Sequence, residues 1–324
     1  MNETTYSSKF GPLIKEYVDY KMASGFKATT YSKLKDFDNW CLSHCPDADR
    51  LDTDIVMEYS KRRSTEASMS QNRRISSLRL FNQYLIDTGR STCPVPNDIN
   101  PAFVKHVPYI FDSEELHAFF DAVDHLEPDT YCPNRDIVLP VMLRLAYCCG
   151  LRPQEVRNIL LSDVSFSNST LLIRCTKSYR DRKIVMSQDM CLLLMKYVAV
   201  MSHRQTYSTY LFERPSGGPY RARWLSQNVG DCCRLANLKP HGNTSLRPYD
   251  FRHNFATSVI RKWHEEGRDI DNSMVVLSEY MGHKHLDDTM YYITLLPEMF
   301  SDWPQFDWAT DEFDYVPEED YWNE

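Results

Sequence analysis

Four prolines, Pro94, Pro96, Pro101 and Pro108, fall within residues 90–108 and separate two stretches whose apolar residues recur at helical spacing. Proline fixes φ and lacks an N–H, so neither a helix nor a sheet interior runs through such an interval. It reads as an extended linker. Before it, from Phe10 to Gly89, Leu13, Ile14, Tyr17 and Val18, and later Ile75, Leu78, Leu80, Phe81, Tyr84 and Leu85, follow the helix period with no β alternation. Breaks at Ser24-Gly25, Pro46-Asp47 and Ser64 to Ser68 predict four or five short helices in residues 1–89. Lys61, Arg62, Arg63, Arg73, Arg74 and Arg79 cluster there, flanked by Ser and Gln, so the unit carries either candidate phosphate contacts or a solvated helix face.

Composition is that of an ordinary globular chain: 324 residues, 42% hydrophobic and 25% charged, about two domains' worth. That excludes a disordered chain, a collagen-like fibre and a disulfide-dense miniprotein. No run of ~18 apolar residues occurs. The segment MNETTYSSKFGP has neither the basic nor the apolar part of a signal peptide, so the expectation is a cytosolic protein with no membrane partner. The ten cysteines include no CxxC pair and several lie in apolar stretches, which predicts reduced thiols acting as small hydrophobes and no structural zinc.

A net charge of −8 argues against a polyanionic partner only until its distribution is considered. Residues 301–324 hold nine carboxylates and no Lys or Arg, which leaves +1 for the preceding 300 residues. A near-neutral body can carry a basic face.

The second stretch, 109–298, opens with Asp112-Ser113-Glu114-Glu115, a helix cap with a glutamate three residues on. Ile137 to Tyr147 predicts a buried helix ended by Gly150, with Pro153 in the first turn of the next. Two β-rich runs, Thr170 to Cys175 and Lys183 to Met186, predict a hairpin around 176–182 that carries Lys177, Arg180, Arg182 and Lys183. Helical patterning returns at Met190–Met201, Arg223–Ala236, Asp250–Trp263, Ser273–Met281 and Leu286–Leu295. The expected fold is mainly α with a small β-sheet, followed by a tail over 299–324.

Four separated segments each supply a cation, an imidazole or a phenol: Gly150-Leu151-Arg152-Pro153-Gln154-Glu155, Thr176-Lys177-Ser178, Tyr249-Asp250-Phe251-Arg252-His253, and Gly282-His283 with Thr289-Met290-Tyr291-Tyr292. Each alone is weak. In this order the set resembles the tyrosine recombinase, or phage integrase, family, whose pattern is an Arg in a Gly-Leu-Arg-x-x-Glu turn, a hairpin Lys, His-x-x-Arg-His, Gly-His, and a Tyr nine residues later. Arg152 with Glu155, Lys177, Arg252 with His253, His283 and Tyr292 match, and Tyr249 stands where the family has its first His. A phenol can hydrogen-bond a phosphate oxygen but cannot supply an imidazolium.

The resemblance implies a helical core-binding (SAM-like) domain and a mixed α/β catalytic domain that together clamp duplex DNA. Lys61, Arg62, Arg63, Arg73, Arg74, Arg79, Arg180 and Arg182 are then candidate DNA contacts. Phosphodiester cleavage builds charge on the non-bridging oxygens, which suits two planar, always-charged guanidiniums, Arg152 and Arg252. His283 would donate to the same phosphate, and the resemblance implies Lys177 as general acid for the leaving 5′ oxygen. Tyr292 would be the nucleophile, leaving a 3′-phosphotyrosine that is resealed without ATP, metal or other cofactor. Adjacent Tyr291 points about 100° away on a helix, and the spacing from His283 selects Tyr292. Glu155 is expected to tie down a basic group and His253 to brace the site, while Thr289 reads as a helix-face residue.

The tail interleaves Trp303, Phe306, Trp308, Phe313, Tyr315, Tyr321 and Trp322 with its acids. Three uses are open: docking on a neighbouring protomer in a tetramer on DNA, covering the basic cleft, or solubilisation. The expected activity is site-specific recombination, by integration, excision, inversion or resolution. Alternatives are a type IB topoisomerase, a DNA-binding regulator that lost turnover, suggested by Tyr249, and a protein-interaction adaptor built on the tail.

Overall fold

A computed structural model of the chain describes residues 5–26, 32–93, 95, 107–130, 132–174, 181–204, 208–242 and 244–300. The chain divides into two compact units, Met1–Lys105 and His106–Glu324. Most of the expected linker, the tail beyond residue 300, Lys177 and Arg180 lie outside the described residues. Among the described residues no helix is long and apolar enough to cross a membrane.

The first unit consists of α1 (Gly11–Ala23), α2 (Ser32–His44), α3 (Thr53–Ser60) and α4 (Ser68–Asp87). Ile14, Tyr17 and Val18 of α1 face Phe37 and Cys41 of α2, Ile55, Val56 and Tyr59 of α3, and Ile75, Leu78, Phe81 and Leu85 of α4 in one core. These positions are three or four apart, so each helix buries one stripe. Phe37 and Tyr59 meet edge-on at 5.0 Å. Asp52 caps α3, accepting from the Ile55 N–H at 2.8 Å.

The second unit begins with α5 (Ser113–Asp124), where the expected cap is present. The Asp112 carboxylate accepts from the Glu115 N–H, and the Glu115 carboxylate from the Asp112 N–H, at 2.8 and 3.0 Å. Helix α6 (Arg135–Cys149) is apolar on most sides and packs against α5, α8 (Gln188–Ser202) and α10 (Asp250–Glu265). Val138, Leu139, Met142, Leu145 and Ala146 are buried there, each larger side chain contributing about 1.5–3 kcal/mol. Between α6 and α8 come α7 (Pro153–Asn158) and a small antiparallel sheet of β1 (Val164–Ser165), β2 (Thr170–Ile173) and β3 (Arg182–Val185). The β2–β3 register pairs Thr170 with Val185 and Ile173 with Arg182. The hairpin is as expected; β1 was not, because two residues are too few for an alternation to show.

After α9 (Ala222–Leu235) come α10, α11 (Ile270–Met281), α12 (Asp287–Met290) and α13 (Pro297–Phe300). The single helix expected over 286–295 is replaced by α12 and a 3-10 turn over Ile293–Leu295. Amides 292 and 294–296 each bond to the carbonyl three residues back, which tightens the chain so that Tyr291 and Tyr292 are both drawn into a cluster with Ala256, Ile260, Met274 and Leu277. Among the described residues the fold is mainly helical with one three-stranded sheet.

Candidate active site

Two glycine-capped helix ends build the floor of the site. Helix α6 ends at Gly150, φ +60°, and α11 at Gly282, φ +69°. Both sit in the left-handed region, where L side chains are strained. A Cβ on Gly150 would also collide with the Phe255 ring, and one on Gly282 would lie 2.9 Å from Cδ of Arg182. These ends aim carbonyl oxygens at the two motif arginines. Arg252, fully buried in the first turn of α10, donates from Nη1 to the Gly150 carbonyl at 2.7 Å and from Nη2 to the Met281 carbonyl at 2.8 Å. Arg152, directly before α7, donates from Nη2 to the Gly282 carbonyl at 3.4 Å. The Nε–H of Arg252 has no hydrogen-bond partner among the described residues.

Glu155 balances this positive charge. Its carboxylate accepts four hydrogen bonds: from the Arg152 backbone N–H and Nη1, both at 3.0 Å, and from Nη1 and Nη2 of Arg182 at 2.7 and 2.8 Å. Burial pushes its pKa up, but the Arg182 hydrogen bonds and the charges of Arg182, Arg152 and Arg252 outweigh that and hold it at about 2. Arg182 also donates from Nε to the Tyr280 carbonyl at 3.0 Å, and the Tyr280 hydroxyl donates to the Val185 carbonyl at 3.3 Å. Both ends of β3 are thereby tied to α11. Arg182 was expected as a DNA contact; its fork is instead occupied by Glu155 and its side chain is 11% exposed. Its role in the site was missed because a cation at a hairpin base looks the same in sequence whether it faces solvent or a buried carboxylate.

His283 follows Gly282 and is mostly buried. Its Nε2 lies 2.7 Å from Nη2 of Arg252 and its Nδ1 2.7 Å from Oγ1 of Thr289. Burial, then the charges of Arg252, Arg152 and Arg182, with His253, drive its pKa far below the ordinary imidazole value, so the ring is neutral. Arginine can only donate, so Nε2 accepts from Arg252 in this state. Thr289 is fully buried and not on an exposed helix face. Its contact follows from the break after α12, which a uniform helix pattern does not reveal.

Tyr292 and Tyr291 are both almost fully buried. The ring of Tyr292 stacks on His283, centroids 6.0 Å apart at 23°, and lies 5.6 Å from His253. Tyr291 meets His253 edge-on at 6.2 Å, and burial, with Asp250, pushes its pKa up to about 12. His253 is buried among these rings and that of Tyr249, 5.3 Å away. One cluster thus brings together Arg152, Glu155, Arg252, His253, His283 and Tyr292, with Tyr249 at its edge beside His253.

In the first unit the basic residues separate. Lys61, Arg62 and Arg63 are exposed, Lys61 beside Glu58 and Arg63 bidentate on Asp36 at 3.0 and 2.9 Å. Arg73 and Arg79 are half-buried. Arg74 is 2% exposed, paired with Glu66 at 2.7 Å and donating to the Tyr59 and Lys61 carbonyls. It braces the turn between α3 and α4, which removes it from the candidate phosphate contacts.

The fold is shared with solved recombinase structures. A lambda integrase dimer bound to a COC′ core site superposes with a TM-score of 0.64 over 87% of this chain and 94% of that one, at 15% identity. The XerH recombinase bound to a palindromic difH substrate gives 0.63 over 85% and 79%, at 18% identity. Residues 110–299 match the phage integrase family. In sequence the chain is 28% identical over 306 residues to the integrase/recombinase y4rB of Sinorhizobium fredii, covering 91% of this chain and 96% of that protein. It is also 28% identical over 244 residues to the tyrosine recombinase XerC of Anoxybacillus flavithermus, covering 74% of each. The chain belongs to the phage integrase family and is a tyrosine-type site-specific recombinase.

Proposed function

We propose that this recombinase cleaves and rejoins duplex DNA at a specific site through a 3′-phosphotyrosine on Tyr292. The observation that carries the reading is the convergence of Arg252, Arg152 and His283 beside the Tyr292 ring. A scissile phosphate placed against Arg252 meets an uncommitted Nε–H and an Nη2 that can exchange its His283 contact for a phosphate oxygen. Glu155 and the two helix-end carbonyls hold the guanidiniums before the substrate arrives, so little reorganisation is left to the transition state.

Tyr292 attacks phosphorus, its hydroxyl proton passing to solvent water, and the bond to the 5′ oxygen breaks with a proton delivered to that oxygen by Lys177. Tyr249 offers a phenol to the same phosphate where the family has an imidazole. The covalent bond conserves the energy of the broken phosphodiester, so the reverse attack by a 5′ hydroxyl reseals DNA. Lys61, Arg62 and Arg63 are proposed phosphate contacts of the first unit, and the active assembly is proposed to be a tetramer on two recombination sites.

A nicked suicide duplex taken from DNA flanking the gene tests this reading. Wild type is expected to leave a covalent protein–DNA band on a denaturing gel and Tyr292→Phe none. A band that persists in Tyr292→Phe would overturn the assignment, and tight site-specific binding with no band in wild type would favour a regulator that has lost turnover.

A further inference from the structure

Among the described residues the Thr289 hydroxyl has one polar side-chain contact, His283. The two sit six residues apart, with Thr289 fully buried in the four-residue helix α12 and its backbone N–H spent on the Leu286 carbonyl. Around the His283 ring the donors and acceptors allow one arrangement. Nη2 of Arg252 must donate, so Nε2 accepts; a neutral ring then carries its proton on Nδ1, and Oγ1 of Thr289 accepts it. The opposite tautomer would set two N–H donors against each other at 2.7 Å.

We propose that Thr289 is a positioning residue for the recombination chemistry: its hydroxyl oxygen accepts the Nδ1–H that the Arg252 contact imposes on His283 and so holds the ring with Nε2 toward the scissile phosphate. This rests on the phosphate site described above. In the free protein Nε2 accepts from Arg252. The 2.7 Å separation leaves no room for an oxygen, so an entering phosphate displaces this contact. Nε2 then takes up one proton from a buffer acid and keeps it, donating a hydrogen bond from that N–H to the phosphate oxygen, while the Nδ1–H keeps its hydrogen bond to Thr289. One proton is gained by the imidazole and given up by the buffer, and no other bond changes. With the Nδ1–H set by Arg252 and accepted by the Thr289 hydroxyl, Nε2 is the nitrogen left to titrate; an aliphatic side chain at position 289 leaves a buried Nδ1–H with no acceptor, and the ring must turn away from Arg252.

The test uses the full chain with 15N-labelled histidine, the His283 signals being assigned by their loss in His283→Gln. Long-range proton–nitrogen correlation spectra, which distinguish the two tautomers, are recorded beside single-turnover cleavage of the suicide duplex. Wild type is expected to show the Nδ1–H tautomer. Thr289→Val is expected to lose it and to cleave roughly 10- to 100-fold more slowly, by analogy with the loss when the partner that orients a metal-ligating imidazole is removed, with duplex affinity unchanged. Thr289→Ser restores both. Should Thr289→Val fail to fold, Thr289→Ala removes the hydroxyl without adding volume. An Nε2–H tautomer in wild type overturns the proposal, as does a slower Thr289→Val that retains the wild-type tautomer. If the tautomer behaves as stated while no chain forms a covalent complex, the DNA-cleavage reading fails and the hold of Thr289 on His283 stands.

Discussion

Arg182 grips Glu155 with both terminal guanidinium nitrogens, at 2.7 and 2.8 Å, on a carboxylate that Arg152 also holds at 3.0 Å. A strand of the hairpin, the turn bearing Arg152 and, through the Tyr280 carbonyl, helix α11 meet at this pair. Removing one partner of a buried, hydrogen-bonded ion pair leaves an uncompensated charge and costs about 3–5 kcal/mol. Arg182→Met is therefore expected to destabilise the chain by that order in urea unfolding. A change under about 1 kcal/mol would show that Glu155 is adequately held by Arg152 alone.

Acid stability should track two groups of opposite type. His283 is neutral in the folded chain, facing Arg252, Arg152, Arg182 and His253, while an unfolded imidazole takes up a proton below about pH 6.5. The unfolded state then binds more protons, so stability is complete above that pH and declines as pH falls below it, by about 1.4 kcal/mol per pH unit. Glu155, held at about 2 against 4.5 when free, adds a second loss as pH falls from about 4.5 toward 2. Urea unfolding of wild type between pH 7 and 5 should slope downward on acidification, and His283→Gln should flatten that slope. Equal slopes would place the imidazolium in the folded site.

The basic residues of the first unit should divide by burial. Replacing Lys61, Arg62 and Arg63 together by Ala should weaken duplex binding and lower the salt slope by about 0.9 for each phosphate left unneutralised, with little effect on folding. Arg74→Ala should do the reverse, since its guanidinium is spent on Glu66 and two carbonyls. A salt slope that responds to Arg74 and not to the exposed triplet would reverse these roles.

Arg252→Ala should separate binding from chemistry. Many phosphate contacts share the affinity, so duplex binding should persist, while cleavage should forfeit about 2–4 kcal/mol of transition-state stabilisation. Single-turnover rates on the suicide duplex measure this. Equal rates in mutant and wild type would remove Arg252 from the reacting phosphate.

Much of this arrangement was legible in sequence. The Asp112 cap, the end of α6 at Gly150 and the β2–β3 hairpin are local, each written in a few adjacent residue types. The site residues were legible as an ordered set, Arg152, Glu155, Arg252, His253, His283 and Tyr292, because their spacing is distinctive even though their convergence is long-range. What sequence hid is where a cation points. Arg74 and Arg182 read as surface charge, yet both turn inward to carboxylates whose position depends on packing between separate elements. Thr289 was hidden for a related reason: the apolar periodicity of 286–295 continues through a change from α to 3-10 backbone that buries it against His283.

The identity of the nucleophile is decided by mapping the covalent adduct. No Lys or Arg lies between Lys284 and Glu324, so trypsin leaves both tyrosines on one peptide that begins at His285. After nuclease trimming of the trapped complex, tandem mass spectrometry that breaks the bond between Tyr291 and Tyr292 locates the nucleotide. Mass on Tyr292 is the predicted result; mass on Tyr291, or on any other residue, contradicts the account.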